Sequence, residues 1–309
     1  MKRITLKRLT AMILVTALCL ALSGCAGKSG AAQTVRIATK PMTEQFILGE
    51  MLGLLIRQDT GCQVEITKGI GGGTSNIQPA MEKGDFDLYP EYTSSGWVMV
   101  LGHEAGSAAD DELPGLLRQE YQERFGMTWV GLYGFNNTYT VAVRGEAARQ
   151  YGLEDTSDLA AVSGELVFGG NPDYIQRADG FDSLCETYGL SFKSVSDIDI
   201  GLKYQALASG DIDVTNAYTT DAQLANPAND VVTLRDDKGL QVNYFCSTVV
   251  RQDALERVPG LEETLMKMDG LISNEEMAAM NYQVEVQGKN ELEVARDFLT
   301  AKGLLETPT

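Results

Sequence analysis

A single histidine, His103, occurs in the 309 residues, and no cysteine pair has zinc-ligand spacing. A histidine-based catalytic triad and a tetrahedral zinc centre both need more than that. Gly-x-Ser-x-Gly is missing as well, which removes the common sign of a serine nucleophile. Cysteine is sparse. Cys19 and Cys25 fall in the N-terminal segment, and the odd remainder, Cys62, Cys185 and Cys246, argues against a disulfide framework and for small core side chains. Basic residues are few, with 25 Lys and Arg against 43 Asp and Glu, a formal net charge of −18. Such a surface repels nucleic acid and anionic lipid, so neither is an expected partner. After the N-terminus no apolar run is long enough to span a bilayer.

What the N-terminus does contain is a basic start (Lys2, Arg3, Lys7, Arg8), an apolar run from Ala11 to Leu22, and Leu22-Ser23-Gly24-Cys25. This reads as a secretory signal ending in a lipobox, residues 1–25, with cleavage before Cys25 and lipid on its thiol. Residues 26–33 read as a tether. The expected location is extracytoplasmic, anchored to the cell membrane.

A pattern occurs twice: Gly84-Asp85-Phe86-Asp87-Leu88 running on to Tyr92-Thr93, and Gly210-Asp211-Ile212-Asp213-Val214 running on to Tyr218-Thr219. Each copy follows apolar residues at helical spacing (Ile77, Ala80, Met81; Leu202, Ala206, Leu207) and reads as a turn entering a short strand. Two related α/β lobes are expected, each delivering a tyrosine from a strand end, where ligands sit in open α/β sheets. The paired carboxylates Asp85 and Asp87 read as capping or solvated groups.

Elsewhere strand and helix alternate from Val35 to Met81 and again from Ser157, which implies that each lobe is a mixed, mainly parallel sheet flanked by helices. Trp129 to Val143 is long enough to leave one lobe and enter the next, and Tyr244 to Val250 reads as a returning strand. The division expected is 34–139 plus 243–309 for lobe 1 and 140–242 for lobe 2, with two crossings that act as a hinge. In the tail, Leu292, Ala295, Phe298 and Leu299 share a helical face. The loop Gly69-Ile70-Gly71-Gly72-Gly73-Thr74 has Thr74 where a dinucleotide fingerprint needs its third glycine. It is expected instead to let a ligand or the other lobe approach the backbone. No cofactor is expected.

Tyr92, Tyr139, Tyr218 and Tyr244 all lie at strand ends in polar surroundings. Four ring faces around a cation would each contribute ~0.5–2 kcal/mol. Together that is roughly 2–8 kcal/mol, against the ~8 kcal/mol of a micromolar complex, so a second anchor is needed.

At these tyrosines, and through Thr39 to Leu48, Asp87 to Thr93, Val167-Phe168-Gly169, Ala217 to Asp221 and Asp236 to Gly239, the chain resembles substrate-binding proteins of osmoprotectant ABC transporters, the glycine betaine, choline and carnitine binders. The resemblance implies a two-lobed type II periplasmic-binding-protein fold and no catalysis. It further implies a cage of Tyr92, Tyr139, Tyr218 and Tyr244 for a quaternary ammonium head. Lys40 and Arg177 match positions that hold a ligand carboxylate, and Ser95 and Asn137 are polar contacts that depart from the family pattern. The partners implied are the solute and an ABC permease, with the protein a monomer. The alternatives are a bilobal receptor for an amino acid or other zwitterion and, more remotely, an extracytoplasmic hydrolase or transferase.

Overall fold

A computed structural model describes residues 33–170, 174–175, 180–198 and 202–305. The signal segment, Cys25 and Arg177 lie outside them. The strands are β1 (Thr34–Ala38), β2 (Gln63–Thr67), β3 (Leu88–Tyr92), β4 (Met127–Asn136), β5 (Tyr139–Arg144), β6 (Val167–Gly170), β7 (Ser194–Asp197), β8 (Val214–Tyr218), β9 (Val231–Leu234) and β10 (Phe245–Arg251). They form two five-stranded sheets, ordered β2-β1-β3-β10-β4 and β7-β6-β8-β5-β9. The orders correspond place for place, and the strands that carry the repeat, β3 and β8, are the central ones.

In the first sheet β1 pairs in parallel with β2 and β3, and β10 runs antiparallel to β3 and β4. The second sheet repeats this, with β6 parallel to β7 and β8, and β5 antiparallel to β8 and β9. The sheets are mixed and flanked by helices, as expected from the sequence, but parallel and antiparallel pairings are equal in number where mainly parallel pairing was expected. The strands that carry the chain across cause this. Tyr139 opens β5 opposite Tyr218, which closes β8, and Cys246 near the start of β10 lies opposite Tyr92 at the end of β3. A strand that enters from the other sheet starts where its neighbour stops.

The described helices are α1 (Thr43–Thr60), α2 (Thr74–Lys83), α3 (Leu113–Phe125), α4 (Gly145–Tyr151), α5 (Phe181–Tyr188), α6 (Lys203–Ser209), α7 (Gln252–Arg257), α8 (Leu261–Met266), α9 (Asn274–Glu285) and α10 (Glu291–Ala301). Alternation along the strands sends Leu88, Val130 and Val250 into one core with α1, and Tyr89, Trp129 and Val249 into another with Ile77 and Tyr121. The first sheet is thus covered on both faces. Ile47, Leu48, Met51, Leu52 and Leu55 of α1 are fully buried, worth roughly 7–15 kcal/mol together before ordering entropy is counted. Val294, Ala295 and Leu299 of α10 complete that core, so the tail packs as its periodicity predicts.

The head of the repeat is structural in both copies. Gly84 and Gly210 close α2 and α6 in the left-handed conformation, φ 81° and 78°, which glycine adopts without strain. Asp87 then accepts the backbone N–H of Arg36 at 2.8 Å and the guanidinium of Arg257 at 2.9 Å. Its counterpart Asp213 accepts the N–H of Val167 at 2.9 Å and the guanidinium of Arg144 at 2.8 Å. Each aspartate pins the adjacent parallel strand, Asp87 at the middle of β1 and Asp213 at the start of β6. Five residues on, roughly 16 Å along the strand, come Tyr92 and Tyr218.

Candidate functional site

The two crossings lie side by side and bond to one another. Asn137 N–H donates to Tyr244 O at 3.1 Å, Tyr244 N–H to Asn136 Oδ1 at 2.6 Å, and Thr138 Oγ1 to Val242 O at 2.7 Å. The threonine after each repeat tyrosine fastens to a crossing: Thr93 Oγ1 accepts from Phe245 N–H and Thr219 Oγ1 from Thr138 N–H, both at 3.2 Å. The repeat's Tyr-Thr ending therefore joins strand end to hinge.

A cleft of ≈ 440 Å³ opens beside these crossings. Tyr92, Tyr139, Tyr218 and Tyr244 line it, together with Lys40, Ser95 and Asn137. The structure thus gathers seven residues from the two sheets and both crossings into one concavity. Its volume falls in the range usual for small-molecule sites.

The rings are not yet a simple box. Tyr139 and Tyr218 stack on each other with centroids 4.7 Å apart, and Tyr218 donates to the Tyr139 hydroxyl at 3.1 Å. Tyr174 supports Tyr139 at 5.2 Å. Tyr92 is buried and donates its hydroxyl to Glu44. Burial, with the Glu44 carboxylate beside it, pushes the Tyr92 phenol well above its ordinary range, so it stays a donor.

Lys40 reaches the cleft without being a free charge. Its ammonium is paired with Glu91, and it lies over the Tyr92 ring, 4.7 Å from the centroid. Glu91 also accepts the Thr74 hydroxyl and the N–H of Tyr92, both at 2.7 Å. The second sheet has a parallel device. Lys203, buried beside Tyr218, donates to Asp221 at 3.0 Å, and Asp221 also accepts the Tyr204 hydroxyl at 2.7 Å and the N–H of Tyr218 at 3.1 Å. Each repeat tyrosine is held by a lysine–carboxylate pair. The glycine loop serves this arrangement and not the ligand. Residues 69–74 do not line the cleft. Ile70 N–H donates to Thr39 O, a β-carbon on Gly73 would lie 3.7 Å from the Lys40 stem, and Thr74 bonds to Glu91, so the loop packs on Lys40.

Among the lining residues not singled out from the sequence are Glu44, Asp221, Asn281 and Glu285. Glu44 sits in the first turn of α1, where an acidic residue ordinarily complements the helix dipole in solvent. Here it is buried, which raises its pKa despite hydrogen bonds from Tyr92, Thr220, Asn137 and Asn281. Burial also raises Glu285 against a hydrogen bond from Thr43. Asn281 donates to Thr220 O at 2.9 Å and so ties α9 to the segment after β8. His103 lies away from the cleft, stacked on Trp97 and bonded to Glu120. Asp87, one of the carboxylates a hydrolase would need, is committed to Arg36 and Arg257 at the far end of its strand. Cys62, Cys185 and Cys246 are unpaired.

Two α/β sheets joined by a double crossing, with a tyrosine-lined cleft at the junction, define a bilobal solute-binding protein. The chain belongs to the family of substrate-binding domains of ABC-type glycine betaine transport systems, which matches residues 33–301. It is 33% identical to a carnitine transport binding protein of Listeria monocytogenes over 99% of both chains. It is 41% identical over 268 residues to an ergothioneine transport permease/ergothioneine binding protein of Helicobacter pylori, covering 87% of this chain but 47% of that protein. The chain thus spans about half the length of that relative. A crystal structure of a glycine betaine/carnitine/choline ABC transporter protein superimposes with a TM-score of 0.81 at 32% identity, covering 87% of this chain and 99% of the other. The fold is that of the type II periplasmic binding proteins, as two mixed sheets flanked by helices. The protein is therefore a substrate-binding protein of the ABC-transporter type. Among the described residues no helix is long and apolar enough to cross a membrane.

Proposed function

We propose that the cleft captures a quaternary ammonium solute among Tyr92, Tyr139, Tyr218 and Tyr244, between lobes formed by residues 34–139 plus 243–309 and by 140–242. The protein acts as a monomer, tethered outside the cell by lipidated Cys25, and presents its ligand to the permease without chemical change. The observation that carries this reading is the convergence of the four tyrosines on one cleft. A methylated onium suits such a site because it is attracted to ring faces and loses little hydration on entry. Arg177 is assigned the ligand carboxylate, for which its fork is suited. Lys40 takes part only by sharing its ammonium with Glu91, and Ser95 and Asn137 supply polar contacts.

A second reading is a larger betaine such as ergothioneine, favoured by the 41% identity to the Helicobacter relative. Calorimetric titration of the chain after Cys25 with glycine betaine, choline, carnitine and ergothioneine tests both. At least one is expected to bind with a micromolar or lower Kd, and Tyr218→Ala to weaken it at least tenfold, about 1.4 kcal/mol. Absence of heat with all four, from folded protein, would exclude the cage.

A further inference from the structure

The two crossings are held together by side chains that do not line the cleft. Asn136, at the end of β4, uses all four of its polar atoms, and the partners come from three parts of the chain. Oδ1 accepts the N–H of Tyr244 and Nδ2 donates to Asn243 Oδ1, each at 2.6 Å and both in the second crossing. Its backbone N–H donates to Asn274 Oδ1 at 2.8 Å, at the start of α9. Its backbone oxygen accepts the hydroxyl of Thr219, just past β8 in the other sheet. Asn243 carries the line outward: Nδ2 donates to Oδ2 of the exposed Asp110 at 2.5 Å, in the loop before α3, and the carbonyl oxygen accepts the Ser94 hydroxyl at 2.7 Å. Asp110, Asn243 and Asn136 are all absent from the lining of the cleft.

The direction of these bonds is fixed by the backbone. A peptide N–H can only donate, so Tyr244 settles which end of the Asn136 amide is oxygen. The other end must then be the donor, which makes Asn243 Oδ1 the acceptor and turns Asn243 Nδ2 to the Asp110 carboxylate. The three side chains form a relay with one allowed sense, from the surface into the hinge. Both halves of the tyrosine cluster depend on it. Tyr244 follows Asn243 directly and is bonded to Asn136, while Tyr139 comes three residues after Asn136 and stacks on Tyr218.

We propose that Asp110, Asn243 and Asn136 are positioning residues for the cleft: their relay sets the angle at which Tyr92 and Tyr244 face Tyr139 and Tyr218, without contact to the ligand. This rests on the cage reading above and adds a control of the hinge from outside the site. Affinity falls in proportion to the fraction of molecules in the binding-competent arrangement. A relay broken away from the ligand therefore weakens every solute by the same factor, whereas loss of a direct contact discriminates among them.

Asn243→Asp breaks the relay at its middle. One carboxylate oxygen still accepts Asn136 Nδ2, and the other meets Asp110 as a like charge. Adding Asp110→Asn returns a donor to that contact with the bond reversed, so the double variant should recover what the single one loses. Calorimetry with glycine betaine, choline, carnitine and ergothioneine should show Asn243→Asp weakening each solute that binds by one common factor, fivefold or more, and the double variant within twofold of wild type. Asn136→Leu, which removes both side-chain bonds, should weaken binding at least as much. Hydrogen exchange of the ligand-free proteins supplies a readout that needs no solute. Amides of residues 136–138 and 242–245 should exchange at least tenfold faster in Asn243→Asp and at the wild-type rate in the double variant, with β3 and β8 unchanged in both. Affinity within twofold of wild type for Asn243→Asp, losses that differ between solutes, or a double variant no better than the single would overturn the relay while leaving the cage intact. If folded wild-type protein binds none of the four, the cage falls and exchange alone decides the relay: crossing amides no faster in Asn243→Asp would overturn it.

Discussion

Replacing Glu91 by alanine would strand an ammonium in the interior. The Lys40 side chain is 7% exposed and that of Glu91 is 0% exposed, so water cannot take over the role of the lost carboxylate. The Tyr92 face stays beside the charge, 4.7 Å from it. Two further donors, the Thr74 hydroxyl and the N–H of Tyr92, lose their acceptor at the same time. Removing one member of a buried pair costs about 3–5 kcal/mol, whereas replacing both by apolar groups is often close to neutral. At about 2–4 °C per kcal/mol for a chain of this size, Glu91→Ala should lower the Tm by roughly 6–20 °C. Lys40→Met combined with Glu91→Leu should recover most of that loss. Thermal and urea unfolding followed by circular dichroism provide the measurement. A Tm within about 2 °C of wild type for Glu91→Ala, or a double variant no better than the single, would refute the view that this pair holds Tyr92 in place.

The protonation of Glu44 sets a second expectation. Its pKa is raised by burial, so the folded state holds a proton that the unfolded chain releases. The resulting stability is fully present below the unfolded carboxyl value and is lost as pH rises through the folded one. Glu44→Gln, which cannot ionise, should therefore melt above wild type near pH 7.5, with the gap closing near pH 4. A gap independent of pH would contradict the burial argument. Turning to the head of the repeat, Asp87→Ala and Asp213→Ala should each cost about 1.5–3 kcal/mol by the loss of charged hydrogen bonds. Asp87 should lie at the upper end because it holds two arginines and is almost wholly buried. Ligand affinity should stay within twofold in both variants, and a larger change would mean that the repeat's head reaches the cleft.

Local chemistry explains why much of this was readable in advance. Gly84 and Gly210 end helices, Asp87 and Asp213 bond to the next strand, and Tyr92 and Tyr218 end their own, all within one short segment. The constraint is local, so the spacing recurs and can be seen. Strand direction was less legible, because β5 and β10 owe their antiparallel sense to the point at which the chain crosses. The glycine loop misled for a related reason. Its glycines fit a close approach, but what approaches is the stem of Lys40, about thirty residues earlier. Glu44 was invisible as a site residue because Thr43-Glu44-Gln45 reads like any solvated helix start. The groups that bury it, Thr220 and Asn281, come from the other sheet and from α9. No short-range pattern reports that contact, and the same holds for Glu285.

The sheet order also fixes a sequence of events in synthesis. The second sheet is built wholly from residues 139–234, whereas the first needs β10, residues 245–251, between β3 and β4. The part of the chain that emerges first is therefore the part that finishes last. Until residue 251 is out, β3 has an open edge and α1 lacks the α8–α10 cover of its apolar face, while the inserted sheet already has all its strands. A chain truncated near residue 242 should hold one protected lobe flanked by an exposed one, the state in which an unpaired strand edge invites aggregation.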